Sequence, residues 1–68
     1  METFTLKGEY IHLIQLLKAV NWVENGAQAQ EVVTEGRVSY NGEIDYRKRL
    51  KVRPGDIIKF EGKEIKVI

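Results

Sequence analysis

The spacing of the apolar positions changes from helical to strand-like near the middle of the chain. Apolar residues recur three and four positions apart over residues 10–20, which predicts a mostly buried helix. A second helix is predicted over about residues 26–35, because Ala29, Val32 and Val33 share one face at the same spacing. The two segments are close in the chain, so we predict a helix–turn–helix.

Short alternating or apolar segments predict strands on both sides of the helices. They are Thr3–Leu6, Arg37–Tyr40, Ile57–Phe60 and Ile65–Ile68. The link Glu61-Gly62-Lys63 joins the last two as a C-terminal β-hairpin, and the terminal strand is a candidate partner for the first. Helices followed by a run of three or four strands are typical of an α+β fold, here with a small, mainly antiparallel sheet.

Residues that favour caps and turns separate the predicted elements. Asn25 is a strong N-cap, and Gly36 suits the position just beyond the helix, where a left-handed conformation is common. Asn41-Gly42 is the pair that a type I′ hairpin turn prefers. Pro54-Gly55 suits the two central positions of a type II turn. These local signals agree with one another across residues 25–42.

Few side chains in the sequence suit catalysis or metal binding. The chain has no cysteine, which excludes disulfides and zinc–thiolate sites. His12 is the single histidine, Ser39 is the single serine, and no glycine pattern resembles a phosphate-binding loop. We therefore predict a non-enzymatic protein with no catalytic residues, no metal site and no cofactor. We expect His12 to be a structural or surface residue of the first helix.

The length of the chain favours one small domain over residues 1–68. A chain of 68 residues buries only about 60% of the surface that it exposes when unfolded, which leaves little room for a deep pocket. The first residues lack the basic and apolar regions of a signal peptide, and no apolar run is long enough to span a bilayer. We expect a soluble, cytoplasmic protein with no membrane partner.

The positive charges of the chain are concentrated in one segment. Five of its eleven basic residues lie within residues 47–53, here called the basic segment. They are Arg47, Lys48, Arg49, Lys51 and Arg53. The net charge is only +1 because the acids lie elsewhere, so the pattern predicts one cationic face. Such a face is typical of nucleic-acid binding, and charge by itself leaves an ordinary solvated surface equally open.

Four motifs in order resemble a known RNA-binding domain family. They are Gly26-Ala27-Gln28-Ala29 on a helix, residues 35–42 with the sequence EGRVSYNG, Arg47-Lys48-Arg49, and Pro54-Gly55-Asp56. The family is the one first named for the fourth ribosomal protein of the small subunit. The resemblance covers about residues 10–60 and is closest to the small stand-alone bacterial members of the YbcJ/YaaA type.

The resemblance implies an αL-type fold, with two helices packed on a small bent sheet, that binds structured RNA. In the family the contacts come from the start of the second helix and from the basic segment after the Asn-Gly turn. The matching positions are Gln28, Arg37, Arg47, Lys48, Arg49 and Lys51, and Lys18 on the first helix is expected to lie close to them and to join the RNA-binding residues. The chain departs from the family where Asn25-Gly26 replaces a common Ser-Arg and where Gln30 replaces a common lysine.

We therefore expect a monomeric protein that binds structured RNA, with ribosomal and transfer RNA as candidates. Only Tyr40 and Tyr46 are aromatic near the basic segment, and Tyr40 is expected to face the core, so recognition should depend on backbone and shape. Trp22 is also predicted to be a core residue. A rival hypothesis is a protein-interaction module that docks an acidic partner. A third, a β-grasp carrier, requires a Gly-Gly end that residues 66–68 do not provide.

Overall fold

The computed structural model describes residues 2–68 and contains two helices and seven short strands within them. The elements in chain order are β1 (Glu2–Phe4), β2 (Ile11–His12), α1 (Leu13–Ala19), α2 (Gly26–Thr34), β3 (Val38–Tyr40), β4 (Glu43–Ile44), β5 (Lys51–Val52), β6 (Ile57–Phe60) and β7 (Lys63–Val67). Five of the strands follow the helices, which is more than the three or four expected from the sequence.

The strands form two sheets. The larger sheet has the order β1-β7-β6-β3-β4, and β2 pairs with β5 in a second sheet of two strands. Within residues 2–68, β1 and β7 run parallel and every other pair is antiparallel. The sheet is therefore mixed but mainly antiparallel, and the predicted α+β fold with a C-terminal hairpin is confirmed. The terminal strand pairs with the first strand, with Phe4 opposite Val67.

One apolar core lies between the helices and the larger sheet. The helices contribute Leu13, Leu16, Leu17, Ala29, Val32 and Val33, and the sheet contributes Val38, Ile58, Phe60, Ile65 and Val67. Trp22 is only partly buried and packs at the edge of this core, with its ring centroid 6.2 Å from that of Phe60. Because the helices are short, this shared burial supplies most of their stability.

Both ends of α2 form as the sequence predicts. The backbone N–H of Gln28 donates to Oδ1 of Asn25 at 2.8 Å, which satisfies a donor that the helix leaves free. Gly36 has a φ of 73°, and its N–H donates to the carbonyl of Val33. The N–H of Arg37 donates to the carbonyl of Val32, which completes a Schellman motif. The chain therefore leaves α2 in a fixed direction and enters β3.

The tight turns also match their predicted types. Asn41 and Gly42 have φ angles of 50° and 93°, as a type I′ turn requires. The N–H of Asp56 donates to the carbonyl of Arg53 at 3.0 Å across Pro54-Gly55. The C-terminal hairpin is tighter than expected, because Lys63 already belongs to β7 and only Glu61-Gly62 forms the link.

The predicted start of the first helix is wrong. Helical spacing begins at residue 10, but α1 begins at Leu13, and Ile11–His12 form a strand instead. Ile11 lies opposite Val52, and the N–H of Leu13 donates to the carbonyl of Leu50 at 2.9 Å. This partner lies almost forty residues away in the chain, so a helical pattern in the local sequence does not reveal it. The pairing decides where the basic segment lies.

Candidate nucleic-acid interface

A shallow cavity of about 570 Å³ opens beside β5 and the end of β3. Its lining residues are Tyr40, Arg47, Arg49, Leu50, Lys51 and Arg53. We call this surface the basic concavity. Four of its six lining residues are cationic and none is acidic, so the surface favours an anion. It contains four of the five cations of the basic segment, and Lys48 lies beside them in the chain.

Strand alternation explains why the cations of this segment face outward. Leu50 is 7% exposed and Val52 is fully buried, so both belong to the core. Successive side chains of a strand point to opposite sides, which turns Lys51 and Arg53 toward solvent, and Arg49 is exposed in the turn that precedes β5. The two apolar residues therefore anchor the basic segment and orient its charges.

Arg47 is fixed by a carboxylate. Its Nε lies 3.0 Å from Oδ1 of Asp45, and its Nη2 lies 2.7 Å from Oδ2, which is a bidentate pair. The hydrogen bonds from Arg47 lower the pKa of Asp45, and the same pair raises the pKa of Arg47. Lys48, Arg49, Lys51 and Arg53 form no ion pair with any of residues 2–68. The uncompensated charge of the basic concavity therefore comes from Arg49, Lys51 and Arg53, and Lys48 adds a further unpaired cation beside them in the chain.

The carboxylate of Asp56 holds the edge of the basic concavity in place. Oδ2 of Asp56 accepts the hydroxyl of Tyr40 at 3.0 Å and the backbone N–H of Arg53 at 2.8 Å. Oδ1 accepts Nδ2 of Asn41, whose own Oδ1 accepts the N–H of Ile57. Burial raises the pKa of Asp56, but these hydrogen bonds together outweigh it and the net pKa is lowered. Burial and Asp56 both raise the pKa of Tyr40.

We expect the free energy of unfolding to decrease in acid partly through Asp56. Because its pKa is lower in the folded state, its contribution is present above the unfolded value of about 3.9 and is lost as pH falls through the folded value. Urea unfolding followed at several pH values between about 5 and 2 should show the loss. The Asp56→Asn variant should be less stable at neutral pH and should lose less stability across that window. An equally large acid loss in the variant would contradict this role.

Arg37 does not join the basic concavity. Its guanidinium forms ion pairs with Glu35 and Glu61, and its Cζ lies 5.5 Å from the centre of the Phe60 ring. It lines a separate groove together with Lys59 and other residues of the C-terminal hairpin. Two carboxylates therefore compensate the charge of Arg37, which the sequence analysis had assigned to RNA contact.

Gln28 lies in the first turn of α2, and the side chain of Lys18 reaches this turn from the end of α1. The ammonium of Lys18 lies about 4.0 Å from where a Cβ on Gly26 would be, so it stands next to the first turn. Oε1 of Gln28 accepts the N–H of Glu24 at 2.7 Å, which occupies its carbonyl and leaves its amide nitrogen as a donor. A lysine beside free helix N–H groups is a second location that suits a phosphate.

The structure adds three residues that the sequence did not assign to the interface. Arg53 lines the basic concavity. The Nζ of Lys51 lies 4.9 Å from the centre of the Tyr10 ring, and the Tyr10 and His12 ring centroids are 5.4 Å apart. The expectation that only Tyr40 and Tyr46 are aromatic near the basic segment is therefore wrong. The alternation of polar and apolar residues in Tyr10-Ile11-His12 was a signal for a strand. The helical spacing of the residues that follow obscured this signal.

The residues that the structure describes contain few other candidates for a functional site. Over residues 2–68, no group of three His, Asp or Glu side chains is arranged to hold a metal ion. No helix in the same range has the length and apolar content to cross a membrane. Tyr46 is 61% exposed, and its ring lies against Gly36 at the end of α2.

Comparisons with known proteins agree with this architecture. The S4 domain family matches residues 4–68. "Putative RNA-binding protein YbcJ" of Escherichia coli (strain K12) is 39% identical over 69 residues, which cover all of this chain and 99% of that protein. "Uncharacterized protein YbcJ" of Shigella flexneri is similar to the same extent. The solution structure of E. coli YbcJ, described as revealing an αL motif involved in RNA binding, superposes with a TM-score of 0.76 over all of this chain and 87% of that one. The chain therefore belongs to the S4 domain family and resembles its YbcJ members, as its four motifs predicted.

Proposed function

We propose that this chain is a non-enzymatic RNA-binding protein that recognises structured RNA through its phosphate backbone and its shape. The observation that carries the proposal is the basic concavity, where Arg49, Lys51 and Arg53 converge without a carboxylate partner. Cations arranged in this way neutralise phosphates and release condensed counterions, which is the main source of affinity for nucleic acids. The name of the similar E. coli protein supports the same class of ligand.

The proposed contacts differ in strength because their surroundings differ. Lys48, Arg49, Lys51 and Arg53 have free charges and are the main phosphate ligands. Arg47 presents the outer edge of a guanidinium that Asp45 already orients. The other proposed contacts, Lys18, Gln28 and Arg37, lie outside the basic concavity. Lys18 and Gln28 would bind a second phosphate at the start of α2, and Arg37 contributes least because two carboxylates compensate it.

Structured RNA fits this surface better than an extended single strand. The concavity is shallow and its cations lie close together, on β5 and on the segments that flank it, which suits the phosphates of a helical or folded RNA. Ribosomal and transfer RNA are the first candidates to test, and we propose that the protein binds them as a monomer.

The affinity for a folded RNA should decrease steeply with salt. If four or five phosphates are neutralised, the slope of log K against log salt should be about −3 to −4.5, at roughly 0.7–0.9 per phosphate. Fluorescence anisotropy with a labelled RNA hairpin at several salt concentrations measures it. A slope near zero, or no binding at low salt, would overturn the proposed function.

A protein-interaction module remains the second candidate, because the edge strand β4 exposes an apolar side chain. Ile44 is 55% exposed, and β4 is the last strand of the larger sheet. A free edge of this kind can accept a strand from a partner, while the basic concavity binds its acidic residues. A complex that persists after nuclease treatment and is lost on Ile44→Lys substitution would favour this candidate.

A further inference from the structure

The small sheet of β2 and β5 has one buried face and one polar, aromatic face. Ile11 lies opposite Val52, and His12 lies opposite Lys51. Ile11 packs on the core and Val52 belongs to it, so the alternation of each strand turns the neighbouring side chains the other way. The outward face is formed by Tyr10, His12, Lys51 and Arg53, and we call it the aromatic platform.

Tyr10 is an exposed aromatic residue on this face, with 39% of its surface open to solvent. The centre of its ring lies 4.9 Å from Nζ of Lys51 and 6.0 Å from Cζ of Arg53, within the range of cation–π contact. An exposed aromatic ring among unpaired cations is the arrangement that proteins use to stack a nucleobase beside its phosphate.

We propose that the aromatic platform is a stacking subsite for one unpaired base of the bound RNA. The proposal rests on the proposed function and narrows it to structured RNA that carries an unpaired nucleotide, such as a bulge. Lys51 and Arg53 belong to both surfaces, since they line the basic concavity and lie over Tyr10. A phosphate in the concavity therefore places the adjoining nucleotide within reach of the Tyr10 ring. The ring centroid of His12 lies 5.4 Å from that of Tyr10.

The platform selects an unpaired base without reading its identity. Bases inside an A-form helix are stacked on each other and present no free face, so a fully paired RNA contacts only the cations. A bulged base exposes its face, and stacking on an aromatic ring tolerates any of the four bases. The predicted specificity is therefore for a structural feature of the RNA and not for a sequence.

Three RNA hairpins that share one stem sequence and one terminal loop test the subsite, because they differ only at the bulge. One has a fully paired stem, one carries a single bulged adenosine, and one carries an abasic residue at the bulge. Anisotropy titrations at fixed low salt should show that the wild type binds the adenosine bulge about tenfold more tightly than either other hairpin, within a range of roughly 5- to 100-fold. Tyr10→Phe should keep this preference, because it keeps the ring.

Tyr10→Leu should lose the preference, so that its affinity for the adenosine bulge equals its own affinity for the paired hairpin. Tyr46→Leu is the matched control, because Tyr46 is more exposed than Tyr10 and lies against Gly36 instead. It should retain the preference. Equal binding of the abasic and adenosine bulges, or an unchanged preference in Tyr10→Leu, overturns the stacking subsite while the proposed function stands. If no hairpin binds at low salt, the proposed function itself fails.

Discussion

Replacing Lys48, Arg49 and Lys51 together by alanine is expected to weaken the binding of a folded RNA by at least about 100-fold at low salt. A hydrogen bond to a charged group contributes about 1.5–3 kcal/mol, and about 1.4 kcal/mol corresponds to a factor of ten, so three lost contacts easily reach this value. The slope of log K against log salt should also become shallower by about 2–3, because fewer counterions are released. Anisotropy titrations of both proteins across a salt series measure the two effects together.

A matched control separates the site from the charge of the whole molecule. The triple variant Lys7→Ala, Lys63→Ala and Lys66→Ala changes the net charge by the same amount, from +1 to −2. Its three lysines are exposed and lie outside the basic segment. We expect it to retain most of the affinity and most of the salt slope. Equal losses in the two triple variants would show that RNA binding depends on overall charge, and the basic concavity would then not be the site.

Replacing Leu16 by alanine is expected to lower the free energy of unfolding by about 3 kcal/mol. Leu16 is fully buried on the core face of α1, and leucine-to-alanine changes at such sites cost about 2–5 kcal/mol through lost burial and the cavity left behind. The whole domain is expected to have only roughly 3–10 kcal/mol of stability, so the variant should be partly unfolded at room temperature or close to it. Urea denaturation followed by circular dichroism measures the change.

The adjoining residue provides the control for this substitution. Gln15 is exposed on the same helix, so Gln15→Ala should change stability by less than about 0.5 kcal/mol. A loss below about 1 kcal/mol for Leu16→Ala would mean that the site tolerates a cavity and that α1 does not hold the core together. A large loss in both variants would indicate that the helix itself, and not its buried face, limits stability.

The elements that were predicted correctly have their causes close by in the sequence. Asn25 caps a helix that starts at the next residue, and the N–H groups of Gly36 and Arg37 end it with hydrogen bonds to carbonyls three and five positions before them. Asn41-Gly42 closes a hairpin between strands that adjoin it. Each of these structures depends on backbone preferences within a few residues, so composition and order suffice to identify it.

The elements that were missed have their causes far away in the chain. Tyr10 and His12 lie outside α1 because β2 pairs with β5, about forty residues later in the chain. Arg37 lies outside the proposed cationic face because the C-terminal hairpin brings Glu61 to its guanidinium. Glu61 is 24 residues away from Arg37 in the chain. Arg47 differs from these residues, since its partner Asp45 is only two residues away and lies just outside the basic segment. Charge in the sequence thus predicts where cations are, but not which of them remain uncompensated.

The sequence by itself determined the caps, the turns, the α+β order of elements and the location of the basic segment, because each follows from local preference or from composition. The tertiary structure decided which cations converge, because only folding pairs β5 with β2 and buries Leu50 and Val52 beneath Arg49, Lys51 and Arg53. It also decided that Tyr10 lies over Lys51 and Arg53, which no local pattern predicts. The physical reason is that strand pairing joins residues through hydrogen bonds that any two backbones can form, so the choice of partner is made by the whole core.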